Sequence, residues 1–253
     1  MKKFLLYFFI VFFLISLFNI SYTLDLQQEI IDFGLSFIEN PGDLFFNLQQ
    51  NIEDCTPLPA GQIEGLKKKY FGIRTNVFPT LFPTTLGNIS FKTRFNTETK
   101  YVPQIGLIGG VGKILALNLI PSKNSDGEEI SKPENNVYYY GIVFSKTFEN
   151  TILYFGTKYS EFFLKVKLPE EIDFYGSTLS EINFNVNDTF LFTGIMLPVD
   201  TKKTIIAQMA YGIKYKKVVA RLGAEYNHLQ IGLDIFPEGL LVLHPYIAYK
   251  WQF

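Results

Sequence analysis

The stretch LVLHPYIAYKWQF, residues 241–253, decides the fold of this chain. Successive side chains of a β-strand point to opposite faces, so a strand pattern alternates from one residue to the next. One set of alternating positions is apolar or aromatic: Leu243, Pro245, Ile247, Tyr249, Trp251 and Phe253. The other set is mostly polar or small: Val242, His244, Tyr246, Ala248, Lys250 and Gln252. The stretch therefore predicts a strand with one oily face and one mostly polar face.

A strand that ends on Phe253, with Tyr249 and Trp251 before it on the same face, resembles the closing strand of bacterial outer-membrane β-barrels. In that family the terminal aromatic residue belongs to the signal that the assembly machinery reads. The resemblance implies that Tyr249, Trp251 and Phe253 form an assembly signal. It also implies that the partners are a lipid bilayer and that machinery, in the bacterial outer membrane.

A second resemblance involves the middle of the chain. Residues 101–108, YVPQIGLI, are followed by a strand pattern, a polar insertion and then Tyr140-Gly-Ile-Val before a short turn. This order is similar to uncharacterised outer-membrane barrels of Gram-negative bacteria, and it implies no activity.

The composition fits a membrane barrel and argues against other classes. Of 253 residues, 47% are hydrophobic and 17% aromatic, and the net charge is −1. A transmembrane barrel places aromatic residues in a lipid-facing band and two interfacial girdles. No nucleic-acid partner is expected, because binding phosphates takes clustered Lys and Arg. Cys55 is the single cysteine, which excludes an internal disulfide, and no Cys/His spacing predicts a metal or cofactor.

Residues 1–23 predict a cleaved secretory signal peptide. Lys2 and Lys3 precede an apolar run, residues 4–18, and the small residues Ser21 and Thr23 follow it. The alternative is an uncleaved inner-membrane anchor, because the run is long for a signal peptide. No later stretch approaches the ~18 apolar residues that a spanning helix needs, so a membrane-spanning chain must cross as strands.

Residues 24–61 differ from the rest of the chain. Residues 25–54 carry apolar side chains at helical spacing around a Pro41-Gly42 break, which predicts two short amphipathic helices. Three placements remain open for these helices: inside the barrel as a plug, on the periplasmic membrane surface, or against the barrel rim. Residues 55–61 contain two prolines and are interpreted as a linker.

Residues 62–253 predict a closed antiparallel transmembrane β-barrel of about ten strands, with eight to twelve possible. The predicted strands are residues 70–78, 89–96, 104–119, 138–144, 153–159, 188–197, 203–215, 217–226, 229–236 and 241–253. The strand at 104–119 requires a bulge at Gly109-Gly110 to place Lys113. The long polar connections 121–136 and 161–187 both fall at the outer end, as barrels require. A strand pair hidden in 162–186 would give twelve strands, and a secreted β-sandwich is the rival fold.

The inward positions of these strands predict a polar and mostly basic lumen. The predicted lumen-lining residues are Arg74, Lys92, Arg94, Lys158, Lys214, Arg221, Glu225, Asp234, His244 and Lys250. A basic lumen favours anions. The alternative is that a barrel of this size is filled by its own side chains, with charges paired to brace the wall.

The turns near the end of the chain predict specific strand partners. A two-residue turn at Asn227-His228 places Arg221 opposite Asp234, both on the lumen face, and predicts an ion pair. A three-residue turn at residues 237–239 places His244 opposite Gly232.

No enzymatic activity is predicted. A Ser-His-Asp hydrolase would need His244 to meet a serine and a carboxylate such as Asp234, but no inward serine is predicted nearby. The Ser and His signatures of the outer-membrane phospholipase do not occur, and neither do the acidic and His pairs of the outer-membrane proteases.

Two functions are therefore expected of an outer-membrane barrel of this kind. The first is a porin-like role in transport, as a narrow pore or carrier for small solutes. The alternative is a non-transporting structural or interaction barrel whose outer loops form a binding surface.

Overall fold

A computed structural model describes residues 54–64, 66–76, 86–114, 134–174, 177–235 and 243–253. The predicted signal peptide, and the predicted helices except for Asp54, lie outside the described residues. The strands, numbered in chain order, are β1 (Phe71–Asn76), β2 (Leu86–Arg94), β3 (Gln104–Ile114), β4 (Glu134–Phe148), β5 (Thr151–Phe174), β6 (Ser177–Pro198), β7 (Lys203–Gly212), β8 (Val218–Tyr226), β9 (Leu229–Ile235) and β10 (Leu243–Gln252). Among these residues no helix is long and apolar enough to cross a membrane.

The ten strands close into one antiparallel barrel, which confirms the predicted fold class. Each strand pairs with its neighbour in the chain, and β1 closes the sheet on β10 through pairs such as Ile73 with Trp251. The backbone of Phe253 extends this closure, because its N–H donates to the Phe71 carbonyl at 2.9 Å. Closure leaves every strand of the wall with a partner on both sides over much of its length.

The alternation predicted for the last strand is confirmed in β10. Tyr246, Ala248 and Lys250 are buried inside the barrel, whereas Trp251 is 41% exposed on the outside. The same alternation runs along β4, where Val137, Tyr139 and Val143 are buried and the intervening residues face outward.

The connections between strands alternate between the two ends of the barrel. One end carries the connections 95–103, 149–150, 199–202 and 227–228, and we call it the short-turn end. From the opposite end, which we call the hairpin end, β5 and β6 extend as a two-stranded ribbon as far as the pair Phe174 and Ser177.

This ribbon corrects the prediction of a polar loop at 161–187. Phe162, Leu164 and Val186 are buried and alternate with Glu161, Asn185 and Asn187, so these residues continue β5 and β6 rather than adding two strands. The prediction failed because the polar composition of the stretch hid its strand period.

Two further register predictions were wrong. β3 pairs with β2 without interruption from Arg94–Gly106 to Leu86–Ile114, so Gly109-Gly110 is not a bulge, and Lys113 is exposed on the outer face. In β10, His244 lies opposite Asp234 and Tyr246 opposite Gly232. Leu243 pairs with Ile235, so the register of β10 differs by two residues from the one that the sequence predicted.

Candidate functional site

The interior of the barrel holds a piece of the chain's own backbone. Residues 54–60, Asp-Cys-Thr-Pro-Leu-Pro-Ala, are all buried and bond to inward side chains of β2, β3 and β4, and we call them the lumen segment. Two prolines keep this segment from forming a helix and remove two backbone donors. Its carbonyl groups are therefore available to accept hydrogen bonds from side chains of the wall. The stretch predicted as a linker lies inside the barrel.

Lys92 on β2 anchors the first half of the lumen segment. Its ammonium lies 2.7 Å from Asp54 Oδ2 and donates to Thr56 O at 2.9 Å and to Thr56 Oγ1 at 2.7 Å. Three oxygen atoms of the lumen segment therefore lie around this ammonium. The Asp54 backbone N–H also donates to the Tyr139 hydroxyl at 3.0 Å.

The charge of Asp54 is stabilised by this arrangement. Burial by itself raises the pKa of this carboxyl group, but the positive charges of Lys92 and Arg74 and the hydrogen bonds from Lys92 and Thr56 lower it. The net result is an Asp54 pKa well below its usual range. Asp54 is therefore the buried anion that compensates Lys92.

The second half of the lumen segment is held by Arg94 and Gln104. Arg94 Nη1 donates to the Pro59 carbonyl at 3.2 Å, and Gln104 Nε2 donates to the Leu58 carbonyl at 2.8 Å. Beyond Ala60 the chain reaches the short-turn end, where Gln62 Nε2 donates to the Glu98 carbonyl at 3.0 Å. The contacts therefore run from the middle of the barrel to its short-turn end.

Cys55 lies on this segment with no exposed surface. Its thiol contacts the Gln208 side chain on β7, and burial raises the pKa of the thiol to about 12, with the charge of Arg221 opposing this only in part. Because thiolate is the reactive form, the thiol is protected twice, by burial and by its raised pKa. Cys55 is the only cysteine in the chain, so its reactivity reports on the position of the lumen segment.

The wall carries ion pairs of its own on β8, β9 and β10. Arg221 Nε lies 2.5 Å from Asp234 Oδ1, and Arg221 Nη2 donates to Asp234 Oδ2 at 2.9 Å. This bidentate pair joins residues that are directly opposite each other, which confirms the prediction. Lys250 pairs with Glu225, which also accepts a hydrogen bond from Gln230.

Most predicted lumen-lining residues are buried inside the barrel. These are Arg74, Lys92, Arg94, Lys158, Arg221, Glu225, Asp234 and Lys250. Lys214 is different, because β7 ends at Gly212 and Lys214 is exposed in the following turn, where its backbone N–H donates to Asp188 at 2.8 Å. His244 lies in β10, but its side chain is not among those that the structure describes.

The lumen is less basic than the strand patterns indicated. Among the described residues the buried cations are Arg74, Lys92, Arg94, Lys158, Arg221 and Lys250, and the buried carboxylates are Asp54, Glu98, Asp188, Glu225 and Asp234. The structure therefore has six buried cations and five buried carboxylates, of which Glu98 lies in the connection 95–103, whereas the strand pattern predicted seven cations and two carboxylates in the lumen. The missed acids lie off the regular strand pattern or near the strand ends, and nothing in the sequence period indicates that Asp54 turns inward.

The described residues include no cluster of metal ligands. Within this part of the chain no group of three or more His, Cys, Asp or Glu side chains could hold a metal ion. Asp234 lies opposite His244, but both of its oxygens accept hydrogen bonds from Arg221.

Comparisons with known proteins do not assign the chain to a family. No protein-family model matches it, and no curated protein matches it.

Proposed function

We propose that this protein is a bacterial outer-membrane barrel that acts as a narrow pore or carrier for small solutes and is closed by its own lumen segment. The observation that carries the proposal is the anchoring of residues 54–60 by Lys92, Arg94 and Gln104. These contacts are non-covalent and attach the segment to the wall at a few points. A segment held in this way closes the lumen and is able to leave it. No catalytic role is proposed.

The outer surface supports placement in a membrane. Large apolar side chains are exposed around the closed wall: Ile89, Phe91, Val111, Tyr140, Ile142, Phe155, Leu191, Ile205, Met209, Leu222, Ile231 and Trp251. Closed barrels cross a bilayer because every backbone group within the apolar layer finds a partner in the sheet. A water-soluble barrel would have no reason to expose so much apolar surface.

Aromatic side chains at both ends of the apolar surface support the same placement. Towards the hairpin end, Tyr138 and Tyr159 donate their hydroxyl groups to the carboxylate of Glu161. At the short-turn end, Tyr249 packs against Trp251 with ring centroids 4.5 Å apart. Such girdles mark the two membrane interfaces of barrels. The proposed assembly signal, Tyr249, Trp251 and Phe253, belongs to the second girdle.

A charge on the outer face tests the membrane placement. Leu222→Arg places a cation in the middle of β8 on the outside, and we expect a loss of about 2–4 kcal/mol in the free energy of unfolding from lipid bilayers. Leu222→Met keeps the surface apolar and is the matched control. Equal stability of both variants in bilayers would contradict the placement.

Conductance tests the closure. Gln208→Cys places a second thiol beside Cys55, and oxidation then ties the lumen segment to β7. We expect the wild-type protein to show channel steps in planar bilayers, the oxidised variant to be silent, and reduction to restore the steps. Conduction by the fully oxidised variant would show that the lumen segment does not close the barrel.

The alternative function, an interaction barrel, is favoured by the ribbon. β5 has 24 residues, about 80 Å at about 3.3 Å per residue, whereas the apolar band of a barrel is about 25 Å tall. A large part of the hairpin therefore projects beyond the apolar band. Silence of a folded, reduced protein in bilayers, even after Lys92→Met has loosened the lumen segment, would favour this alternative.

A further inference from the structure

Arg74 is a buried arginine that makes only part of its possible hydrogen bonds with the wall. Its side chain has no exposed surface, and its Nε donates to Gln230 Oε1 at 2.6 Å. Its other two nitrogens, Nη1 and Nη2, have no hydrogen-bond partner among the described residues. A buried donor without an acceptor is unfavourable, and a guanidinium presents its two Nη groups as a fork that fits an oxyanion.

Three other polar groups without hydrogen-bond partners lie on the strands next to Arg74. Within the described part of the chain these are the Tyr246 hydroxyl on β10 and the side-chain amides of Asn76 on β1 and Asn88 on β2, and Arg94 Nη2, which also has no partner there, lies further towards the short-turn end. Tyr246 is 2% exposed and Asn88 is 5% exposed. Each of the three supplies at least one donor, and none is used by the protein.

The register brings these groups together. Arg74 and Asn76 lie on β1, where Arg74 pairs with Ser90, two residues from Asn88 on the same face of β2. Asn76 pairs with Ala248, two residues from Tyr246 on the same face of β10. The Arg74 guanidinium carbon lies 5.4 Å from the centroid of the Tyr246 ring. All four side chains therefore face the lumen on the hairpin side of Lys92, with Asn76 and Asn88 on the strands at the base of Arg74 and Tyr246 beside its guanidinium.

The position of Tyr246 is fixed by its surroundings. Its hydroxyl lies over Gly223 and Gly232, where a Cβ would come within 2.4 and 2.5 Å of the oxygen. The Arg221 guanidinium lies 4.8 Å from the same ring and is held by Asp234. Tyr246 therefore contacts two guanidinium groups, and its hydroxyl makes no hydrogen bond within the described part of the chain.

The charge near this region limits what it could bind. Asp54 is close enough for its charge to interact with Arg74, although Lys92 already neutralises it by direct contact. A ligand with several negative charges would be repelled by Asp54, whereas a small singly charged oxyanion gains two forked donors and a hydroxyl donor.

We propose that Arg74, Tyr246, Asn76 and Asn88 form a binding site for a small, singly charged oxyanion of the carboxylate class. As an assignment of the transported solute the site rests on the proposed function. As a binding site it does not depend on conduction.

Formate is the probe for this site. The full chain, folded in detergent micelles, is unfolded thermally in rising sodium formate at an ionic strength kept constant with sodium chloride. A ligand that binds only the folded state raises the midpoint in a saturable manner. We expect saturation with formate, whereas chloride alone has no such effect. A midpoint that is the same in formate and chloride would overturn the proposal.

Two variants locate the binding. Arg74→Lys keeps the positive charge but removes the fork, and we expect the saturable shift to disappear. Tyr246→Phe removes only the hydroxyl, so the formate concentration for half-saturation should rise about tenfold, because a hydrogen bond to an anion is lost. Without formate the midpoint of Tyr246→Phe should not fall, because the hydroxyl has no partner to lose.

Tyr154→Phe is the matched control, because Tyr154 is also a buried tyrosine of the wall but its hydroxyl donates to Gln208 at 3.2 Å. Its half-saturation should equal that of the wild type. Equal half-saturation for wild type and Tyr246→Phe would overturn the site. Formate binding by a barrel that stays silent in bilayers would retain the site and reject the pore.

Discussion

Two buried ion pairs of this barrel have similar chemistry but join different parts of the molecule. Arg221 and Asp234 lie on adjacent strands and are 13 residues apart in the sequence. Lys92 lies on the wall, whereas its partners, Asp54 and Thr56, belong to the lumen segment. The first pair is part of the wall, and the second attaches the lumen segment to it.

The difference determines how each pair responds when it is broken. A charge stranded within the wall cannot reach water unless the barrel unfolds. A charge stranded on the lumen segment becomes hydrated once the segment leaves, so the penalty cannot exceed the free energy that docks the segment. Breaking the wall pair should therefore destabilise the barrel, whereas breaking the other pair should release the segment from an intact barrel.

The largest effect is expected from Asp234→Asn. The substitution leaves Arg221 buried without its carboxylate, and we expect a loss of about 3–5 kcal/mol in the free energy of unfolding. Removing both charges, by Arg221→Gln with Asp234→Asn, should cost less than the single change. Urea unfolding followed by tryptophan fluorescence measures both, and a double variant that is as unstable as the single one would contradict the wall assignment.

Lys92→Met should release the lumen segment while the barrel stays folded. Hydrogen bonds to charged groups are worth about 1.5–3 kcal/mol, so the loss of these contacts predicts a rise of roughly ten- to a hundredfold in the rate of Cys55 alkylation. The barrel should keep its folded mobility on heat-modifiability gels. Unfolding of the barrel in this variant, or an unchanged alkylation rate, would contradict the claim that the two ion pairs respond differently when they are broken.

Alanine substitutions at two glycines test the wall and the lumen segment independently. At Gly232 a Cβ would lie 2.4 Å from the Leu222 carbonyl oxygen, which is backbone, so Gly232→Ala should cost about 1–3 kcal/mol of barrel stability. At Gly72 a Cβ would lie 3.1 Å from Leu58 Cδ2 and Lys92 Cγ, both side-chain atoms that are able to shift. Gly72→Ala should therefore change barrel stability little and raise Cys55 alkylation by a few-fold at most. The reverse order of stabilities in denaturant would contradict this.

The smallest effect is expected from pH. The pKa of Asp54 is lowered in the folded state, so its contribution is complete above its unfolded pKa of about 3.9 and declines only as pH falls towards the lower folded value. The lumen segment should therefore stay docked between about pH 5 and pH 8 and loosen below about pH 4. Modification of Cys55 by a dipyridyl disulfide, which reacts at acid pH, measures this. Release at pH 6 would show that Asp54 is not the group responsible.

The sequence determined the wall of this protein. Alternation along single strands assigned inside and outside correctly for Arg74, Lys250 and Trp251, and a two-residue turn was enough to place Arg221 opposite Asp234. These features depend on neighbouring residues and on the fixed period of a strand, which a sequence displays directly. The register of β10 was missed by two residues, because the prediction rested on the turn residues alone.

Only the tertiary structure decided what fills the interior of the barrel. Residues 54–60 have no period, and their burial arises from contacts with Lys92, Arg94 and Gln104, which become neighbours when the barrel closes. The guanidinium of Arg74 and the ring of Tyr246 likewise become neighbours through the closing of β1 on β10. A strand pattern is local and can be read along the chain, whereas the contents of a barrel depend on residues distant in sequence that only closure brings together.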